Sequence, residues 1–276
     1  MKSYRTVLII AGSDSIGGAG IQADIKTCTC LGTYAMTAVT AITAQNTRGV
    51  SMYRAVDGVM LEAQLDAVVD DVRPDAVKIG MLPTLEAVEV TARFLRRHGF
   101  GNVVTDPVCV ATSGDALAEG SVPEAIRKLL FPLSAVVTPN IPEAELLSGM
   151  AVDMEHPEAV MTALLAGGAQ SVLLKGGHAV GCGCADATDF FMERGAGAYE
   201  RLNAECVDTV NTHGTGCTLS SAIASFMAMG RGLSESVALA KDYLWHALRA
   251  GAGYEFGHGH GPVCHFYRHT ACGNSE

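Results

Sequence analysis

Thr6-Val7-Leu8-Ile9-Ile10-Ala11-Gly12-Ser13-Asp14-Ser15-Ile16-Gly17-Gly18-Ala19-Gly20 places six apolar or β-branched residues directly before a glycine-rich turn. An amphipathic stretch then continues to residue 31. An apolar run that short, closed by glycine, reads as a strand buried on both faces, and the spacing after it reads as a helix. Runs of the same kind recur at 36–43, 76–79, 103–105, 135–138 and 172–175. Helical spacing fills 19–31, 60–71, 85–98, 122–130, 142–148 and 157–166, with Pro123, Pro142 and Pro157 near helix starts, where a missing N–H costs nothing. Strand and helix in alternation predict a parallel sheet covered on both faces. Residues 189–194 and 198–202 flank Gly195-Ala196-Gly197 and predict a hairpin, so antiparallel strands are expected at one edge. The expected class is α/β. With no internal repeat or linker, one domain is expected.

The chain has 276 residues, enough for a large core, and at 49% hydrophobic and 17% charged it lies far from disordered composition. Net charge is −10, with no cluster of Lys and Arg that could follow a phosphate backbone, so nucleic acid is not expected as a partner. An acidic molecule repels an anionic substrate unless local dipoles, a lysine and a cation reverse the potential at the site. Magnesium is therefore expected if the ligand is ATP. The run from Val7 to Ala11 is too short for a signal sequence, and no stretch approaches a membrane span, so a cytoplasmic protein with no membrane partner is expected. Nine cysteines, with Cys28/Cys30 and Cys182/Cys184 lacking zinc-site spacing, read mostly as free thiols.

Ligands of a parallel sheet sit beyond the carboxyl ends of its strands. Those ends carry the glycine loop at 12–20, Gln45-Asn46, Gly80-Met81, Asp106-Pro107-Val108, Pro139 to Glu143, and Gly176-Gly177-His178. The first loop fits neither a P-loop nor a dinucleotide fingerprint. Further on, Asn211-Thr212-His213-Gly214-Thr215-Gly216-Cys217 precedes an apolar helix-like run. Its glycines let consecutive N–H groups point one way, and the helix dipole adds about half a positive charge. Such a socket suits a phosphoryl group in transit, although the same turn also serves as a plain helix start. Asp106, Asn140 and Glu143 offer the hard oxygens that magnesium uses, or equally a turn, a helix cap and a first-turn acid. Lys175 ends an apolar strand, where an ammonium is costly unless an anion meets it.

Gly17 to Asp24, Thr138 to Glu145, Lys175 to His178 and Asn211 to Thr218 together resemble the hydroxymethylpyrimidine/phosphomethylpyrimidine kinases of thiamine biosynthesis, within the ribokinase-like superfamily. The likeness runs in order from about residue 5 to Gly261-Pro262-Val263. It implies a three-layer α/β/α sandwich with a mostly parallel sheet and a few antiparallel edge strands. It also implies a single kinase domain over 1–268, a flexible tail over 269–276, and a homodimer. The implied reaction is ATP-dependent phosphorylation of 4-amino-5-hydroxymethyl-2-methylpyrimidine and then of its monophosphate. The resemblance assigns the anion hole to Gly214, Thr215, Gly216 and Cys217, the magnesium site to Asp106, Asn140 and Glu143, and nucleotide contacts to Lys175, Thr212 and Lys241. Gln45 is implied as the reader of the pyrimidine, with Ala19, Met81 and Val108 as apolar walls and Gly12 and Asp24 as further pocket positions. At the helix N-terminus Cys217 is expected to have a lowered pKa and to assist as a partial thiolate. The loop at Cys182 to Ala187 would cover nucleotide.

Three other readings compete. Pyridoxal kinase activity would follow from the likeness of a hydroxymethyl pyridine to the pyrimidine. A thiol enzyme pairing Cys217 with His213 would act without nucleotide. A sensor in a kinase-like shell would bind pyrimidine without forming ADP.

Overall fold

The computed structural model describes residues 3–109, 120–177 and 187–269. The cysteine loop at 182–186 and the tail from 270 lie outside them. The chain runs β1 (Thr6–Ala11), α1 (Gly20–Leu31), β2 (Tyr34–Val39), β3 (Ala41–Asn46), β4 (Gly49–Ala55), α2 (Gly58–Val69), β5 (Ala76–Ile79), α3 (Leu85–His98), β6 (Val103–Thr105) and α4 (Val122–Ala125). After these come β7 (Val136–Val137), α5 (Ile141–Ser148), α6 (Glu158–Ala166), β8 (Ser171–Leu174), β9 (Asp189–Glu193), β10 (Glu200–Leu202), α7 (Thr215–Ala228) and α8 (Leu233–Gly251).

The eight-stranded sheet has the order β10-β9-β8-β7-β6-β5-β1-β2. Pairings from β2 across to β8 are parallel, and those of β8 with β9 and β9 with β10 are antiparallel, as the alternation and the glycine-flanked hairpin predict. Side-chain alternation divides the buried strands between two cores. Leu8, Ile10, Val77 and Ile79 join α2, α3, α5 and α6 on one face. Val7, Ile9, Ala76 and Val104 join α7 and α8 on the other. This is the expected α/β/α sandwich. Each strand residue stands on one side of the pleat, so a run apolar at every position must be covered twice.

The expected continuous strand at 36–43 is a correction. Thr40 Oγ1 donates to Met81 O at 2.6 Å, and Ser13 N donates to Ala41 O at 2.8 Å. These bonds draw the chain out of the large sheet, and β3 pairs instead with β4 in a separate antiparallel hairpin. Helix 122–130 likewise begins as α4 but continues as a π-helical turn over Ile126–Leu130. The 19-residue α8 has no counterpart among the expected helices.

Candidate active site

In the sheet order β1 lies between β2 and β5: α1 carries the chain from β1 to β2 on one side, and the next strand of the sheet, β5, lies on the other. The crevice this opens beyond the strands' carboxyl ends is the usual ligand position. Two glycine loops meet above it. Gly214 caps α7 with φ +81°, and a Cβ there would overlap Gly18 O. A Cβ on Gly18 would in turn overlap the His213 ring. The loops interlock because neither carries a side chain at the contact.

The opening of α7 faces the candidate phosphate and metal residues. A Cβ on Gly216 would lie 3.1 Å from Lys175 Nζ and 3.4 Å from Asp106 Oδ2. Lys175 Nζ donates to Asp106 Oδ1 at 2.7 Å, and Thr138 Oγ1 donates to the same oxygen at 3.0 Å. Burial alone would raise the Asp106 carboxyl, but Lys175 and Lys78 hold it below the ordinary range. The first turn of a helix leaves N–H groups without an intrahelical acceptor. Here that turn lines the same cleft as the Lys175 ammonium.

Asn140 and Glu143 form a reciprocal cap at the start of α5. Asn140 Oδ1 accepts from Glu143 N at 2.9 Å, and Glu143 Oε2 accepts from Asn140 N at 2.9 Å. The capping role and a role at the cleft are thus compatible, because both residues also line it. Burial, with Asp106 nearby, pushes the Glu143 carboxyl up to about 7 despite the opposing pull of Lys175. Two buried carboxylates in mutual repulsion, all hard oxygens, suit a divalent cation. Among the described residues no three His, Cys, Asp or Glu side chains come together as a metal-binding group.

Two clefts share this centre. One, about 830 Å³ including its open mouth, is lined by Gly12, Ala19, Gln45, Met81 and Val108 on one side and by Asp106, Asn140, Glu143, Lys175 and Gly214 to Cys217 on the other. The second, about 750 Å³ measured likewise, is lined by Thr212, Lys241, Trp245, Leu244, Val207 and Cys206. Lys175, Thr215 and Gly216 line both. Lys241 is held there by Asp189 Oδ2 at 2.6 Å, and Asp189 Oδ1 accepts from Gly176 N at 2.9 Å.

Two expectations need correction. Asp24 is not a pocket residue. It is fully buried in α1, accepts two bonds from Lys78 Nζ at 2.8 Å each, and accepts one from Ser221 Oγ at 2.5 Å. This ionic contact ties α1, β5 and α7 together beneath the cleft. Cys217 does line the cleft, but its thiol is pushed up to about 11 by burial and by the Asp24 and Asp106 carboxylates, against the pull of Lys78. Burial thus outweighs the lowering expected of a thiol at a helix start.

His213 does not pair with Cys217. Its Nε2 lies 2.9 Å from Asp14 Oδ2 and 3.3 Å from Gln45 Nε2. Asp14 Oδ2 also accepts from Gly18 N and Ala19 N at 2.8 Å each. Burial would raise the Asp14 carboxyl, yet His213 and the backbone N–H groups hold it below the ordinary range. Sequence reading placed Asp14 and His213 in two separate glycine loops and gave no sign that they touch.

A sequence model of the family described as phosphomethylpyrimidine kinase matches residues 14–264. The hydroxymethylpyrimidine/phosphomethylpyrimidine kinase of Rhizobium meliloti is 48% identical over 263 residues, covering 95% of this chain and 97% of that one. Among solved structures, phosphomethylpyrimidine kinase from Clostridium difficile is 39% identical with a TM-score of 0.75, covering 87% of this chain and 97% of that one. The ADP complex of Bacillus subtilis pyridoxal kinase is 35% identical with a TM-score of 0.86, covering 95% and 98%. With the interlocked glycine loops, the twin clefts and a match across nearly the whole length, the chain belongs to the phosphomethylpyrimidine kinase family.

Proposed function

We propose that this protein transfers the γ-phosphoryl group of ATP to the hydroxymethyl oxygen of 4-amino-5-hydroxymethyl-2-methylpyrimidine, and then to its monophosphate, in thiamine biosynthesis. The carrying observation is that the two clefts share Lys175, Thr215 and Gly216, so a nucleotide in one and an alcohol in the other would meet at the start of α7. Phosphoryl transfer passes through a loose transition state and needs alignment and charge neutralisation more than covalent help. The N–H groups from Gly214 to Cys217 would hold the transferring group. Lys175 would swing between Asp106 and phosphate, and Thr212 and Lys241 would hold the nucleotide's remaining phosphates. Gly12, Ala19, Met81 and Val108 would enclose the ring, and Gln45 would read its edge. Cys217, un-ionised near neutral pH, would position the alcohol rather than take its proton.

Magnesium fits the oxygen-rich corner formed by Asp106, Glu143 and Asn140, where it would offset the negative charge of ATP. The same reading takes residues 1–268 as one kinase domain in a cytoplasmic homodimer. Among the described residues no helix is long and apolar enough to cross a membrane.

The test is ADP release from magnesium-ATP with and without the pyrimidine alcohol, with the mono- and diphosphate products identified. Pyrimidine-dependent ADP with both products is expected, and its absence refutes the proposal. Pyridoxal phosphorylation is the second reading, favoured by the TM-score of 0.86 to pyridoxal kinase. Turnover of the two alcohols under identical conditions separates the two readings.

A further inference from the structure

The hydrogen-bond geometry around Gln45 fixes which end of its carboxamide can face which neighbour. Thr43 Oγ1 lies 2.8 Å from Ser13 O, a pure acceptor, so its one proton is committed there. The same Oγ1 lies 3.4 Å from the Gln45 atom placed as Oε1, which leaves two acceptors facing each other. On the other side, His213 Nε2 lies 2.9 Å from an Asp14 oxygen that already accepts two backbone N–H groups. A carboxylate kept ionised cannot donate, so His213 Nε2 must carry a proton. The Gln45 atom placed as Nε2, 3.3 Å from it, is then a donor facing a donor. Rotating the carboxamide by half a turn resolves both mismatches. The proton that His213 Nε2 donates to Asp14 at 2.9 Å is then shared with Oε1 at 3.3 Å as the longer branch of a three-centre bond, in place of a donor facing a donor, and Gln45 Nε2 donates to Thr43 Oγ1. Amide orientation is assigned from such networks, because oxygen and nitrogen have nearly the same shape.

We propose that Asp14 and His213 are positioning residues that lock the Gln45 carboxamide in this orientation and so determine which pyrimidine edge the cleft accepts. One lone pair of Oε1 and one Nε2–H remain for the ligand. They complement an exocyclic amine beside an unprotonated ring nitrogen, the edge of a 4-aminopyrimidine. A 4-oxopyrimidine presents the reverse pattern, with a ring N–H beside a carbonyl, and meets donor against donor and acceptor against acceptor. Buried polar groups left unpaired are the strongest source of such discrimination. The chain of dependence begins at Asp14, whose backbone bonds belong to the first glycine loop, and passes through His213 in the second. The inference rests on the kinase reading for its substrate, while the tautomer it requires does not.

Two measurements test it. In the intact protein with 15N-labelled histidine, NMR should show His213 Nε2 protonated; a neutral ring protonated only at Nδ1 overturns the proposal. In kinetics, the wild-type ratio of kcat/KM for the 4-amino alcohol over its 4-oxo analogue should fall roughly tenfold or more in His213→Leu, the factor expected for one buried mismatch. His213→Gln, which keeps an N–H donor towards both Asp14 and Gln45, should restore the ratio to within about threefold, as expected when one hydrogen bond is replaced in kind. Equal losses on both alcohols in His213→Leu, or no restoration by His213→Gln, would refute the lock. If His213→Leu does not fold, the NMR result with the His213→Gln ratio decides. If wild-type protein phosphorylates neither alcohol, the kinase reading fails, and the nitrogen shift still reports on the lock.

Discussion

Glu143 converts the electrostatics of the cleft into a measurable dependence of stability on pH. Its carboxyl is only 3% exposed and is pushed from an ordinary 4.5 up to about 7 by burial, the first cause, and by Asp106. Between those values the folded protein binds more protons than the unfolded chain, so stability must fall as pH rises through the window. At about 1.36 kcal/mol per unit, the effect of this one group between pH 5 and pH 8 is about 2.5 kcal/mol. For a chain of this size that is roughly 5–10 °C in Tm. The assay is thermal or urea unfolding of wild-type and Glu143→Gln proteins at pH 5, 6, 7 and 8 with chelator present. Titrating groups that do not interact with Glu143 cancel in the difference between the two proteins, which leaves Glu143 and its neighbours Asp106 and Lys175. Wild type is expected to lose about 2.5 kcal/mol relative to Glu143→Gln on going from pH 5 to pH 8. Magnesium with an unreactive ATP analogue favours the ionised carboxylate and should flatten that difference. A difference that is independent of pH, or that grows in favour of wild type at high pH, would refute the electrostatic reading.

Three further outcomes follow from the same geometry. Gly214→Ala must abandon φ +81° or displace Gly18, so we expect a stability loss of at least about 1–2 kcal/mol, read by urea unfolding, and turnover down by roughly a hundredfold. Cys217, with its thiol near 11, should alkylate slowly at pH 8 and faster towards pH 11; fast labelling at pH 7 would restore the thiolate expectation. Lys78→Met leaves the buried Asp24 without its cation and should cost about 3–5 kcal/mol by urea unfolding, with Asp24→Asn on the same chain recovering part of it.

The repeating layers were legible because the interior strands are apolar at nearly every position and bounded by glycine, proline or polar residues. Residues 6–31 alone give strand, turn and helix, and the structure places them so. The cleft was legible where one residue type suits both local and global roles, as at Asn140 and Glu143, which cap α5 and also face the site. Contacts between residues far apart in sequence were not legible. Nothing in the pattern at 36–43 marks Thr40 as the point where the chain leaves the sheet, because its bond partner Met81 is supplied by another strand end. Cys217 was misread for the same reason. A helix start favours thiolate locally, whereas Asp24, Asp106 and burial, none of them sequence neighbours, oppose it. Asp14 and His213 are 199 positions apart, and only the interlocking of two glycine loops brings them together.

The segment after α8 ties these parts together. Asn211 Nδ2 donates to Gly251 O at 2.8 Å and to Tyr254 O at 2.7 Å, and His213 N donates to Gly261 O at 3.0 Å. His260 N donates to Thr47 O at 2.9 Å, at the turn of the hairpin that carries Gln45. The stretch that leaves α8 is therefore a clasp on both ligand-facing loops. During translation, a nascent polypeptide halted before residue 251 would already hold the sheet and its helices, yet lack the fastening that gives the site its shape. Competence for ligand would thus arrive only once that stretch is made, later than the layers it fastens.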